Sequence, residues 1–298
     1  MNQYSAICIL LCGLLFSGFA WAVDDTPIKK VVVKEIVPIN NQVGLVFMGS
    51  TEPSIVVDQQ AASLIGQIDK GDRLTVLIDD KNTPHVIKQL KAVEKPVSKR
   101  VRIITLLMAA GVLLVFALIA SKNKITRFVI GADNRYSNSK TQVVIWFCTL
   151  MVVYIATLGL RVVVYGWDFF GGVGITENLL MLSGLSALTY GAAKAVTVQQ
   201  EQTAEAGMTG QKTRAQNPSF PNDLFENDAG ELDLGDSQMF FVTVLSAVVF
   251  LLTAFHFLSW IEYANDIYLP DIDSTLLSSF GLGQGAYLIK KVATPLGK

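Results

Sequence analysis

Long apolar runs alternate with polar stretches along this chain. The runs cover 101–120, 143–165, 179–196, 239–260 and 276–289. A helix of about 20 apolar residues, rising 1.5 Å each, crosses the roughly 30 Å hydrocarbon core of a bilayer. Each run therefore predicts a membrane span. The third and fifth are shorter and cross only if Lys194 and Lys290-Lys291 reach up to the headgroups. Upstream, an apolar stretch at 6–19 leads to Ala20-Trp21-Ala22 and then Asp24-Asp25. That is the pattern of a signal peptide over 1–22. No Lys or Arg precedes Ala6, so an uncleaved anchor is the alternative. Either way, the chain from residue 23 onward is exported.

The segment 23–98 has a different pattern. Short β-branched runs at 31–33, 43–47, 54–57 and 74–78 are separated by turn-like Gly49-Ser50, Gly71-Asp72 and 79–83. Strands and turns at this spacing predict a small all-β exported domain, an OB-like or SH3-like barrel, with one short helix within 59–67. About 75 residues give only a marginal core, so it needs help from the membrane or a partner.

The last four runs fall into two pairs. Leu179-Leu180, Gly184-Leu185, Tyr190 and Lys194 recur 97 residues on as Leu276-Leu277, Gly281-Leu282, Tyr287 and Lys291. Each pair opens on a polar start and a glutamine, Gln142 in the first and Gln238 in the second. The expected membrane part is thus all-α: a stem helix at 99–121, then two tandem helix hairpins at 137–197 and 239–292, joined by an acidic linker at 198–238. Copies in the same orientation predict a pseudo-twofold axis along the membrane normal.

Charge sets the orientation. The loop 121–142 holds Lys122, Lys124, Arg127, Arg135 and Lys140, the linker holds Lys212 and Arg214, and the tail holds Lys290, Lys291 and Lys298. Loops 166–178 and 261–275 have no Lys or Arg. The positive-inside rule then places 23–98 in the periplasm and the C-terminus in the cytoplasm. Lys95, Lys99, Arg100 and Arg102 oppose this and are assigned to anionic headgroups. A rival topology makes the third and fifth runs re-entrant, which requires a protein shell around them.

Composition agrees with the membrane class: of 298 residues 51% are hydrophobic and 16% charged, where a soluble domain carries about 25% charge. A net charge of −1 gives no reason to expect a nucleic-acid partner. Cys8, Cys12 and Cys148 offer no disulfide framework for the exported part.

Among candidate residues, Ser139 and Gln142 have capping-box spacing, with Ser139 as cap, and Trp146 is an interfacial anchor one turn on. The stretch Ser137-Asn138-Ser139-Lys140-Thr141-Gln142 with Trp146, followed by Ser183-Gly184-Leu185-Ser186 and by Asp223-Leu224-Phe225 with Gly230, resembles a family of uncharacterised bacterial inner-membrane proteins. The resemblance covers about 137–292 and implies location and topology; it brings no activity with it. The second copy departs, with Val242 in place of the tryptophan and Gly283 in place of the serine.

Gly281 and Gly285 have small-xxx-small spacing and, with Gly184, are expected to let helix backbones approach; a glycine-lined pore is the alternative. Arg161 and His256 are the ionisable groups nearest membrane depth and hence the candidate functional residues within the membrane. Arg161 is expected to snorkel toward Asp168. His256 is expected to bond a neighbouring helix or to relay protons. The carboxylates of 222–236 lack EF-hand spacing. His85 and His256 are the only histidines, so no metal site is expected, and no cofactor or nucleophile motif is present. The reading is a non-catalytic integral inner-membrane scaffold, anchor or accessory subunit. Its partners are the lipid bilayer and an envelope protein or a second copy in a homo-oligomer. A channel or transporter component is the alternative. It requires Thr157, Thr189, Thr253 and His256 to converge on one cavity.

Overall fold

The computed structural model describes residues 28–39, 42–50, 53–56, 62–79, 86–131, 133–205, 216–226 and 232–293. The expected signal peptide at 1–22, Cys8, Cys12 and His85 lie outside the described residues.

Five strands close on themselves in the N-terminal region. They are β1 (Ile28–Ile39), β2 (Gln42–Phe47), β3 (Ser54–Val56), β4 (Arg73–Asp79) and β5 (Val86–Pro96). β1 is long enough to pair twice. Its first half runs antiparallel to β4, from Ile28 opposite Leu77 to Val32 opposite Arg73. Its second half runs antiparallel to β2, and a register break between Val33 and Glu35 lets the strand bend from one partner to the other. β2 pairs β3, β4 pairs β5, and β5 returns parallel to β3 through Ile55 opposite Val86 and Val56 opposite Ile87. The interior is filled by Val33, Leu45, Leu74, Val76, Ile87 and Val93, all fully buried. One helical turn, α1 (Ala62–Ile65), lies between β3 and β4, and Leu64, Ile65 and Ile68 pack on that core. Gly71 supplies the positive φ of +97° for the turn into β4, where its amide donates to the Val33 carbonyl.

The helices are α2 (Lys99–Ala120), α3 (Asn138–Tyr165), α4 (Glu177–Glu205), the single turn α5 (Asn222–Phe225), α6 (Leu234–Phe257) and α7 (Ser274–Ala293). Ser98 caps the stem α2, its hydroxyl accepting from the Val101 amide. α2, α3, α6 and α4 over Glu177–Gln199 are long and apolar enough to cross a membrane. The chain therefore has a helical membrane region joined to a β domain. α4 and α7 are continuous helices of 29 and 20 residues; neither is a broken, re-entrant turn. α3, α4, α7 and α6 touch in that order around a ring, and α2 lies outside it against α3.

Burial in α3 recurs in α6. Gln142, Trp146, Leu150, Val153, Thr157 and Arg161 face inward, and so, each 97 residues on, do Met239, Thr243, Ala247, Phe250, Ala254 and Leu258. This corrects the expected pairing of Gln142 with Gln238. Gln238 is exposed, and Met239 holds the inward position. Bulk is exchanged within the ring. Trp146 of α3 lies 5.6 Å from Phe250 of α6 and donates to the small Ser183 of α4, while α7 has Phe280 97 residues after Ser183.

Candidate functional site

The barrel is fastened to the bundle by a strand. α6 ends at Phe257, and the chain runs directly into β7 (Trp260–Glu262). β7 adds antiparallel to the end of β5, with Glu94 opposite Glu262, Lys95 opposite Ile261 and Pro96 opposite Trp260. The Val97 amide donates to the Ser259 carbonyl and the Tyr263 amide to the Val93 carbonyl, at 2.9 and 2.8 Å. Arg73 lies 4.5 Å over the Trp260 ring. Tyr165, Phe169 and Tyr263 form a mutual aromatic cluster with centroids 4.9–5.2 Å apart, and the Tyr165 hydroxyl donates to the Ile261 carbonyl at 2.7 Å. At the stem, Arg102 donates to the Phe255 carbonyl at 2.7 Å. Lys95 pairs with Asp69 at 2.5 Å and lies 3.9 Å from Asp72. Two of the four cations at 95–102 are thus bound within the protein, not to headgroups.

Charge is concentrated in this seam. Glu94 is buried, pairs with Arg73, and accepts from Lys30 at 3.4 Å. Directly opposite it stands Glu262, whose carboxyl is pushed above the usual range first by burial and then by the Glu94 charge; Lys30 and Arg161 partly oppose this. Asp72, at the turn into β4, is likewise raised by burial, against the Asp69 amide and Lys95.

Arg161 is the hub beneath the seam. It does not snorkel to Asp168, as expected from its place near the end of a span. It is 1% exposed and donates to backbone carbonyls of both loops at this end. Nε reaches the Phe169 carbonyl at 3.1 Å and Nη1 that of Gly172 at 3.4 Å, while Nη2 reaches those of Ala264 and Asn265 at 2.8 Å each. A guanidinium is a fan of fixed donors, and four carbonyls converging on it use that geometry better than one carboxylate does. The same loops pair as parallel strands, β6 (Val173–Gly174) with β8 (Ile267–Tyr268). Gly172 has φ +61°, and a Cβ on it would fall 1.9 Å from the Asn265 carbonyl oxygen; one on Gly174 would fall 2.5 Å from the Tyr268 ring. Asp271 closes the joint by accepting from Thr176 and Asn178 at 2.8 Å.

The other expected residues fall apart from one another. His256 is exposed on the last turn of α6, and Thr253 is exposed with its hydroxyl bonded back to Val249. Thr157 is buried and bonded back to Val153, and Thr189 is buried on α4. These four share no cavity. Gly281 meets only Leu185, at 3.8 Å, and a Cβ on Gly184 or Gly285 would meet nothing within 4 Å. The expected close backbone approach at these glycines is absent, because Leu185 and not a small residue faces Gly281.

The capping box is also corrected. α3 begins one residue early, so Ser139 lies inside its first turn, buried, 3.3 Å from the Ser137 hydroxyl. Gln142 is freed from capping. Its Nε2 donates to Asn138 Oδ1 at 3.2 Å, and its Oε1 accepts from Gln284 of α7 at 2.8 Å. α6 is capped by Asp233, which accepts from the Gly235 and Asp236 amides and pairs with Lys290. The linker carboxylate Asp223 accepts from the Ser219 and Tyr136 amides, Leu224 is buried, and Phe225 packs on Phe240 and Phe241. Among the described residues no group of three His, Cys, Asp or Glu side chains gathers as a metal site.

Sequence reasoning missed Glu94, Gly172, Trp260, Tyr263 and Gln284. Only Gln284 carried a signal, as a lone amide within an otherwise small and apolar helix. The fold and its seam define a class, a helical membrane protein with a β domain strapped to one end of its bundle. Comparison with protein-family models, with curated proteins and with solved structures finds no match.

Proposed function

We propose that this chain is a non-catalytic scaffold or accessory subunit of the inner membrane that holds a periplasmic OB-like barrel at a fixed attitude to the bilayer. The observation that carries the reading is the β5–β7 pairing. A barrel tethered by its stem alone would swing; one that takes a strand from the far hairpin, plus the Tyr165, Phe169 and Tyr263 cluster, is held. The OB-like assignment rests on the strand order, the parallel β3–β5 closure and the helical turn between β3 and β4. Duplication of the hairpin is supported by the inward positions of α3 that recur 97 residues on in α6. The transporter reading loses ground because Thr253 and His256 face outward and the barrel end of the ring is filled by Phe250, Phe280 and Leu182.

The test is purification from native membranes in mild detergent. A stoichiometric envelope protein, lost when exposed barrel residues such as Lys34 and Ile36 are changed, supports the reading. Selective solute flux in proteoliposomes of the purified chain overturns it. Reporter fusions after residues 130, 170, 215 and 266 read the orientation, and an outward signal at 215 reverses it.

A further inference from the structure

The helix ring has an apolar half and a polar half. Toward the barrel, Leu150, Val153, Leu182, Phe250, Ala254 and Phe280 fill it. Toward the other end an amide series crosses three helices. Asn138 Nδ2 donates to the Asp236 carbonyl of α6 at 2.9 Å. Gln142 Nε2 donates to Asn138 Oδ1, and Gln284 Nε2 to Gln142 Oε1. Each amide donates in the same sense, so the series must end on an acceptor. That acceptor is Gln284 Oε1, which is buried and makes no hydrogen bond. The Asp236 carbonyl can only accept, and this fixes the sense of every amide in the series.

Two further observations fall in the polar half. Ser237 Oγ, one residue beyond the carbonyl where the series begins, is the other buried side-chain oxygen without a bond among the described residues. Gly283, next to Gln284, is buried on the inner face of α7, yet a Cβ on it would meet no atom within 4 Å. A buried carbonyl left unbonded is costly. Interiors are close-packed, and room beside unpaired polar atoms is where buried water binds.

We propose that the polar half of the ring is a water-binding chamber, with Gln284 Oε1 and Ser237 Oγ as its anchors and Gly283 as the residue that leaves it room. Water donating to Gln284 Oε1 completes the series at α7, and water at Ser237 Oγ satisfies the hydroxyl next to the carbonyl where the series begins. The chamber stops at the apolar half, so it is a joint and not a path.

Hydroxyl-radical labelling by radiolysis of the full chain in detergent tests this, because bound water generates radicals beside otherwise shielded side chains. Met239 and Tyr287 line the polar half and are 1% and 7% exposed. After correction for intrinsic reactivity, they are expected to label several-fold faster than Phe250 and Phe280. Gly283→Ala and Gln284→Leu are expected to remove that excess without changing the elution volume. The proposal is overturned if Met239 and Tyr287 are as protected as the two phenylalanines, or if their labelling is the same in Gly283→Ala as in the parent chain. Gly283→Ala decides alone if Gln284→Leu does not fold, since alanine favours the helix.

Discussion

Arg161 reverses the expectation for a charge near membrane depth. Such a group is first suspected of function, yet here its donors are taken up by backbone carbonyls of the two loops. Removing it takes the donor from carbonyls on both loops at once, and a buried polar group left unbonded costs about 1–3 kcal/mol. Arg161→Ala is therefore expected to lower the Tm in detergent sharply. Arg161→Lys should recover only part of the loss, because an ammonium cannot span carbonyls on two loops. Equal melting of Ala, Lys and parent proteins would refute the hub. Gly172→Ala is a second test at this scale. Its Cβ would meet the same Asn265 oxygen that Arg161 binds, so it should destabilise this end of the molecule despite adding only a methyl. Hydrogen exchange at the Ile267 amide, which donates to the Gly172 carbonyl, is the readout. The position of Arg161 within its span was legible in the sequence. Its partners were not, since carbonyls leave no mark in side-chain identity.

The strands show why some elements are readable and others not. β2, β3 and β4 announce themselves through β-branched runs. β5 does not. Its buried residues Ile87, Leu90 and Val93 are three apart, because the β4–β5 ladder slips register twice. Period-two reading fails there and leaves only lysines in view. β7 hides differently, since Trp260 reads as the end of an apolar run and nothing local says that the next residues leave the bundle for a sheet. This seam also responds to pH. Glu262 has a carboxyl raised by docking, so the docked state binds protons more readily than the free one. Its contribution to docking is full below the ordinary carboxylate range and is lost as pH rises through the raised value. Docking is thus expected to tighten under mild acid. The distance between spin labels at Gln89 on the barrel and Glu177 on the bundle should broaden as pH rises. Glu262→Gln should keep the distribution narrow at every pH, and an unchanged pH response in that variant would exclude Glu262 as the cause.

At the scale of the whole molecule, large exposed side chains mark two levels. Trp167, Phe170 and Tyr268 stand out at the barrel end, and Phe128, Phe220 and Phe241 near the other. Aromatic side chains favour the headgroup region, so the bilayer is expected to lie between them. A variant retaining Trp167 alone should be quenched by lipids labelled near the headgroup, while one retaining the buried Trp146 should resist lipid quenchers at any depth. Quenching of Trp146 would mean that the ring is open to lipid. The alternation of spans and loops was legible because hydropathy records contact with lipid. The amide series was not, because it depends on which faces of α3, α6 and α7 meet. The strand that completes the barrel edge has one more consequence, in time. β5 leaves the ribosome long before Trp260, and four spans must be inserted in between. Until then the end of β5 that runs past the closed barrel lacks its partner. β7 arrives only when the second hairpin has been delivered, so the barrel is locked in place by, and only after, correct assembly of the membrane part.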